Sequence, residues 1–391
     1  MSGTDSWANV GPTKTVKTCV LAYAFVLIAF GAALSGIISF GSTLHRAPAL
    51  LPAPAAPTPI GASAWALNPI ALLLLQVLVI IAVTRFLANV TRRFRQPGVI
   101  GEVIGGIILG PSVLGFLWPA FGSFLFAPAS LANINILSQI GLVTFMFVVG
   151  LELDPNFLKT KAYSAVMISH ASIIAPFLLG SSLALFLFRA YAPTGVPFSA
   201  FCLFMGIAMS ITAFPVLARI IQERRLGHSS LGTMALACAA IDDFTAWCAL
   251  ALVVGIARQG TIRQSLHVTG LCVLYIVVML FLVKPALSRW LETRPADESL
   301  NRKMMATSLL VMLLSAFATE AIGIHALFGA FLAGVVMPKE AVFRKVLSQR
   351  IEDFSTLLLL PLFFALSGLR TQIGLLDDLH SCRNKRVDRV R

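Results

Sequence analysis

The sequence predicts an all-α fold: a polytopic transmembrane helical bundle with structural repeats and a broken helix, its second repeat incomplete. Three observations predict it. Charged residues make up 12% of the chain and hydrophobic ones 58%, whereas a soluble domain carries about 25% charged residues. The apolar residues gather into ten helix-length runs separated by short loops. The basic residues behind the formal net charge of +13 fall in small clusters between those runs, which is how topology determinants are distributed. A nucleic-acid partner is not expected; the lipid bilayer is.

The runs span roughly 18–40, 68–90, 98–116, 132–151, 162–188, 198–221, 230–257, 268–291, 304–338 and 354–369. Lys14 and Lys17 precede the first run, as in a signal peptide, but its length exceeds the usual ~7–15-residue apolar region. A retained extra helix is therefore favoured over a cleaved signal. The Pro/Ala-rich stretch RAPALLPAPAAPTPIGASA follows and cannot continue a helix. Residues 1–67 thus read as an extra helix with a linker, 68–375 as the transmembrane domain and 376–391 as a basic tail. The run 304–338 reads as a helix, a tight turn near Gly323 and a short second helix.

Orientation follows from Lys and Arg. Arg92, Arg93 and Arg95 share a loop, and the pairs Lys159/Lys161 and Arg224/Arg225 lie in every second loop after it. The cluster Arg289, Arg294, Arg302 and Lys303, and then Arg344, Lys345 and Arg350, continue the alternation. Basic-rich loops face the cytoplasm, which places the N-terminus inside, in a plasma or inner membrane.

An internal repeat is visible. Ile104–Gly110 and Phe328–Gly334 each carry Gly-x4-Gly in a short helix, and the next helix holds Phe-x4-Gly-Leu at Phe145–Leu151 and at Phe363–Leu369. Repeats of this kind characterise secondary transporters.

Two features carry chemistry. Asp242 and Asp243 lie side by side within the apolar run Ser230–Ala257. One ionised Asp at the centre of a membrane helix costs ~2.5–3.5 kcal/mol on insertion scales, so the pair is expected to be used. Upstream, Met209-Ser-Ile-Thr-Ala-Phe-Pro215 sits mid-way along its run. Pro215 has no N–H to donate and its ring crowds the preceding turn, while Ser210 and Thr212 can satisfy freed backbone groups. A broken helix at membrane depth offers carbonyl oxygens and half-helix dipoles to a small desolvated cation. Together the features read as an oxygen-lined site where H⁺ competes with Na⁺ or K⁺ for a carboxylate.

An intramembrane aspartyl protease needs two carboxylates facing one water. Neighbouring helical positions point about 100° apart, so the adjacent pair does not fit that chemistry, and no enzyme activity is expected. The six Cys (19, 202, 238, 248, 272, 382) and six His are scattered, which supports no disulfide framework, metal centre or cofactor. Glu102 could line the core, Glu320 and His325 read as interfacial, and His170 reads as a hydrogen-bonded interior residue. Phe244 and Trp247 read as packing. Arg219 is expected to snorkel to the cytoplasmic face.

From about Asn68 to Leu375 these motifs resemble the monovalent cation/proton antiporter superfamily, nearest its Kef and plant CHX type. The matching pieces are Gly98–Pro111, Phe147–Asp154, Ser210–Arg219, Ala240–Phe244 with Ala246 and Trp247, and Gly323–Gly334. The resemblance implies a scaffold that dimerises, most simply as a homodimer, and a mobile core with crossed broken helices. It implies that Asp243 carries the ion and the proton, with Asp242 and Thr212 beside it, and that access alternates by an elevator-like movement. It also implies further helices beyond the one matching 354–369, where this sequence reads as a basic tail. The expected alternative to a working antiporter is accordingly a truncated, non-transporting product or a partner-dependent subunit.

Overall fold

The computed structural model describes residues 12–43, 68–153, 155–193, 195–227, 229–257, 262–292, 298–338, 341–371 and 373; the Pro/Ala-rich linker and the basic tail 376–391 lie outside them. The described elements are helical. They are α1 (Pro12–Ser42), α2 (Pro69–Arg93), α3 (Gly98–Leu109), α4 (Leu114–Leu117), α5 (Pro119–Leu125), α6 (Pro128–Glu152), α7 (Pro155–Tyr191) and α8 (Phe198–Ser210). After these come α9 (Phe214–Glu223), α10 (Ser230–Ala257), α11 (Ile262–Val278), α12 (Lys284–Glu292), α13 (Glu298–Ile322), α14 (Ala326–Val336), α15 (Ala341–Phe354) and α16 (Leu360–Leu369). A widened π turn joins α11 to α12 at Met279–Val283, and another joins α15 to α16 at Ser355–Leu359. Among the described residues, nine helical spans are long and apolar enough to cross a membrane.

Local chemistry sets the ends. Pro69, Pro119 and Pro128 occupy the first turn of their helices, where a missing N–H leaves nothing unpaired. The Asn68 side chain caps α2 by accepting from the Ile70 N–H at 3.2 Å. The chain leaves α2, α9 and α13 through left-handed residues, Arg95 (φ 59°), Arg225 (φ 56°) and Gly323 (φ 97°). At each, two backbone bonds close the end: Arg95 and Gln96 donate to Arg92 and Thr91, Arg225 and Leu226 to Gln222 and Ile221, Gly323 and Ile324 to Glu320 and Thr319. These are αL helix stops, and the third is the tight turn expected near Gly323.

The described residues form two compact units. One draws on Met1–Ala55, Asn156–Ala213 and Ala237–Gly270, the other on Ala56–Pro155, Phe214–Leu236 and Leu271–Arg391. In the first, α1, α7, α8 and most of α10 come together. Ala184, Phe188, Phe198 and Cys202 form an apolar cluster between α7 and α8, with Leu34, Ile37 and Ile38 of α1 packed against it.

The second unit holds the repeat, and its helices pack crosswise. A side chain at Gly106 of α3 would strike the Ala365 carbonyl of α16, and one at Gly368 of α16 would strike the Val103 carbonyl of α3. Likewise, Gly150 of α6 lies against the Phe331 carbonyl of α14, and Gly334 of α14 against the Phe147 carbonyl of α6. Each element of the first repeat therefore pairs with the non-equivalent element of the second. Small residues allow this backbone approach, which replaces the hydrophobic drive that lipid removes. Gln76, buried in mid-α2, donates to the Leu125 carbonyl and to Ser130 Oγ at 2.8 Å.

These contacts yield a stability prediction. Gly150→Ala and Gly106→Ala each lose about 1–3 kcal/mol through overpacking against a carbonyl. Gly36→Ala on α1, where nothing lies within 4 Å, leaves stability unchanged or slightly raised. Thermal unfolding of the detergent-solubilised chain separates the three variants.

Candidate functional site

The first unit contains the break. α8 ends at Ser210, and Ile211, Thr212 and Ala213 run without helical structure before α9 begins at Phe214. The Ile211 N–H still reaches back to the Ile207 carbonyl at 3.2 Å, while Ile211 itself is extended (φ −78°, ψ 126°). Ser210 Oγ donates to the Ile207 carbonyl at 3.1 Å. Pro215 stands in the first turn of α9, where it cannot extend α8 and costs α9 no hydrogen bond. The interruption expected from the sequence is thus three residues long and lies just ahead of the proline.

Asp242 is 4% exposed. Its Oδ1 accepts from the hydroxyl of Ser169 on α7, and it lines one cavity together with Ser210 and Ile211 at the break. The acid and the broken helix therefore meet within one unit. Asp243, the next residue on α10, is half-buried and points about 100° away around the helix axis.

That cavity has a volume of about 250 Å³. Its wall is otherwise mainly apolar: Leu27, Phe30 and Leu34 come from α1, and Ile173 and Phe177 from α7. Ser210, His170 and Thr245 reach its lining too. His170 meets Tyr23 edge-on, with ring centroids 6.0 Å apart. Its Nδ1 lies 2.9 Å from the Val166 carbonyl, the interior role expected for it.

The second unit contains a charged cluster at the end of α9. Glu102 and Arg219 are 1% and 7% exposed. Arg219 Nη2 lies 3.9 Å from Glu102 Oε1, and its Nε lies 3.3 Å from Glu223 Oε1. These are ion pairs rather than aligned hydrogen bonds, since neither Arg219 Nε nor Glu102 Oε2 has a hydrogen-bond partner among the described residues. Glu223 also meets Arg92 at 3.5 Å and accepts from the Gly98 N–H, which opens α3, at 2.7 Å. One turn away, Gln222 Nε2 donates to Glu352 Oε1 at 2.6 Å. The expectation that Arg219 snorkels is corrected: its guanidinium turns inward because a buried carboxylate, Glu102, sits within its reach. Glu320 and His325 cap α14, accepting from the Ala326 N–H at 2.9 Å and the Leu327 N–H at 3.4 Å. The side chains of Phe244 and Trp247 lie outside the described residues.

Reading the sequence alone misses Ser169 and the Arg219–Glu102 pair. The signal for the second was present, as one unpaired acid and one unpaired base on separate apolar helices. Ser169 had no such signal, because a serine in a membrane helix is ordinary.

Membrane-length helices, one of them broken beside a buried acid, define an integral multi-pass membrane protein. The chain belongs to the family described as sodium/hydrogen exchanger, transmembrane, whose model matches residues 77–383. It is 40% identical over 311 residues to the Na(+)/H(+) antiporter NhaS4 of Synechocystis, covering 79% of this chain and 76% of that protein. It is 41% identical over 315 residues to cation/H(+) antiporter 17 of Arabidopsis thaliana, covering 79% of this chain but 38% of that longer protein. In fold it is similar to the sodium proton antiporter MjNhaP1 of Methanocaldococcus jannaschii. The TM-score is 0.56 at 14% identity, covering 79% of this chain and 73% of that one.

The charged cluster generates the prediction here. Arg219→Ala strands a buried carboxylate and lowers stability by about 3–5 kcal/mol. The double replacement Arg219→Met with Glu102→Gln costs distinctly less, because it leaves no unpaired charge. Unfolding of each variant in detergent checks the order.

Proposed function

We propose that this protein exchanges a monovalent cation, Na⁺ or K⁺, for H⁺ across a membrane. Asp243 carries the ion and the proton, and Asp242, Thr212 and Ser210 complete the site. The observation that carries this reading is the meeting of Asp242 with the helix break: a buried acid that lines one cavity with Ser210 and Ile211. Intramembrane acids mark ion and proton routes because their cost is otherwise unmatched. A break supplies unpaired carbonyls, and hydroxyls supply further oxygens, the ligand type that hard cations need. The antiporter relatives support the same reading.

The coupling follows from competition. A carboxylate holding a proton has lost the charge that binds a cation, and one holding a cation resists protonation. If the loaded site alone can change sides, each crossing carries one or the other, and two crossings complete an exchange. Each elementary charge moved through 100 mV is worth about 2.3 kcal/mol, so the number of protons per cation decides whether membrane potential drives the cycle.

The chain acts as a homodimer in this reading, with its N-terminus in the cytoplasm and Arg92, Arg93, Arg95, Arg224 and Arg225 on the same side. The alternative of a non-transporting product or partner-dependent subunit is not favoured by relatives named as antiporters.

Everted vesicles carrying a ΔpH-sensitive dye test the assignment. Adding Na⁺ or K⁺ to vesicles with the full chain dequenches the dye, and Asp243→Asn abolishes the response. Thr212→Ala weakens it without abolishing it. Undiminished dequenching in Asp243→Asn removes that residue from the carrier role.

A further inference from the structure

Ser169 departs from what most helical hydroxyls among the described residues do, and it is the one whose departure reaches an acid. A serine or threonine inside a helix ordinarily donates to a carbonyl three or four residues back. Ser172, Ser182, Thr245 and Ser308 all do so, donating to Ser169, Leu178, Ile241 and Met304 at 2.7–2.8 Å. Ser169 is fully buried in α7, yet its hydroxyl leaves its own helix and donates to Asp242, 73 residues away in sequence. One turn earlier on both helices, Cys238 Sγ donates to the Ala165 carbonyl at 3.5 Å. So α7 and α10 meet along a seam in which Ala165 faces Cys238 and Ser169 faces Asp242.

A hydroxyl has one proton to give, and here it is given to the acid. With Ser210 and Ile211 lining the same cavity, Asp242 lies between a continuous helix and the break. We propose that Ser169 is a positioning residue of the ion site. It orients the Asp242 carboxylate beside Asp243, so that the site meets an arriving cation already formed. The inference rests on the exchange reading and deepens it by naming a residue outside the family motifs that sets cation affinity.

Cation dependence is the readout, because a purely structural role changes protein amount and not half-saturation. In the vesicle assay, Ser169→Ala raises the Na⁺ or K⁺ concentration for half-maximal exchange roughly tenfold, the size expected for losing a hydrogen bond to a charged group. The maximal rate changes far less. Ser169→Thr, which keeps the hydroxyl, restores affinity, and Ser172→Ala leaves it alone. A second measurement needs no turnover: Na⁺ or K⁺, compared with choline, raises the unfolding temperature of the purified full chain, and Ser169→Ala shifts that response to higher concentration. Wild-type half-saturation in Ser169→Ala overturns the proposal, as does a fall in maximal rate alone, or Ser169→Thr behaving like Ser169→Ala. Should Ser169→Ala not fold, Ser169→Thr and Ser169→Cys decide. Near-normal saturation in Thr with weakened saturation in Cys supports the proposal, and equal saturation in the two overturns it. If the wild-type chain shows neither exchange nor cation stabilisation, the exchange reading itself has failed, and the role of Ser169 falls with it.

Discussion

Hydrocarbon offers no partner to a peptide group or a carboxylate, and every unusual feature of this chain answers to that constraint. Leaving one such group unpaired at membrane depth costs several kcal/mol. A break in a helix creates several unpaired groups at once, and an acid adds another. Here the two liabilities are placed together, with Asp242 of α10 and the break around one cavity. Ser169, from a helix that is neither broken nor acidic, donates to the acid. The Arg219–Glu102 pair is the same solution in the second unit, with charge set against charge in place of a hydroxyl.

The same constraint explains the glycines. Lipid is as apolar as leucine, so helices in it gain little by hiding apolar surface from their surroundings and must gain from close contact. The α3–α16 and α6–α14 pairs reach backbone-to-backbone contact through Gly106, Gly368, Gly150 and Gly334. Gly150 and Gly368 are the glycines of the Phe-x4-Gly-Leu motif and Gly334 closes the second Gly-x4-Gly, while Gly105 and Gly329 lie instead against Thr84 of α2 and the Ser315 carbonyl of α13. Each repeat supplies close-packed partner helices to the other.

Legibility in the sequence followed the range of the physics. The helical class, the turn at Gly323, the interruption before Pro215 and the acid pair all depend on residues close in sequence, and each was readable. The three-residue length of the interruption was less so, because Pro215 alone fits either a kinked helix or the first turn of a new one. Contacts across helices were not readable. Arg219 looked like a residue bound for the cytoplasmic face because its distance from the helix end allowed it, and the one hint of Glu102 was a lone acid on another apolar helix, far away in sequence. Ser169 was invisible for a different reason: its partner is the acid already identified, but only the α7–α10 seam shows that the two share a depth.

Adjacent acids on a helix are usually discussed as a pair, yet their positions here give them different surroundings. Asp242 is buried with the Ser169 hydroxyl on its carboxyl; Asp243 is turned about 100° from it and half-buried. A carboxylate that is buried and held by a donor is suited to setting geometry, since the hydrogen bond opposes its movement. A carrier must gain and lose a proton and a cation in every cycle, which needs access more than fixation. In the proposed exchange, Asp242 therefore holds the charge distribution of the site constant while Asp243 changes its load. That division accounts for a chain that sustains two costly acids where competition at one would suffice to couple the fluxes.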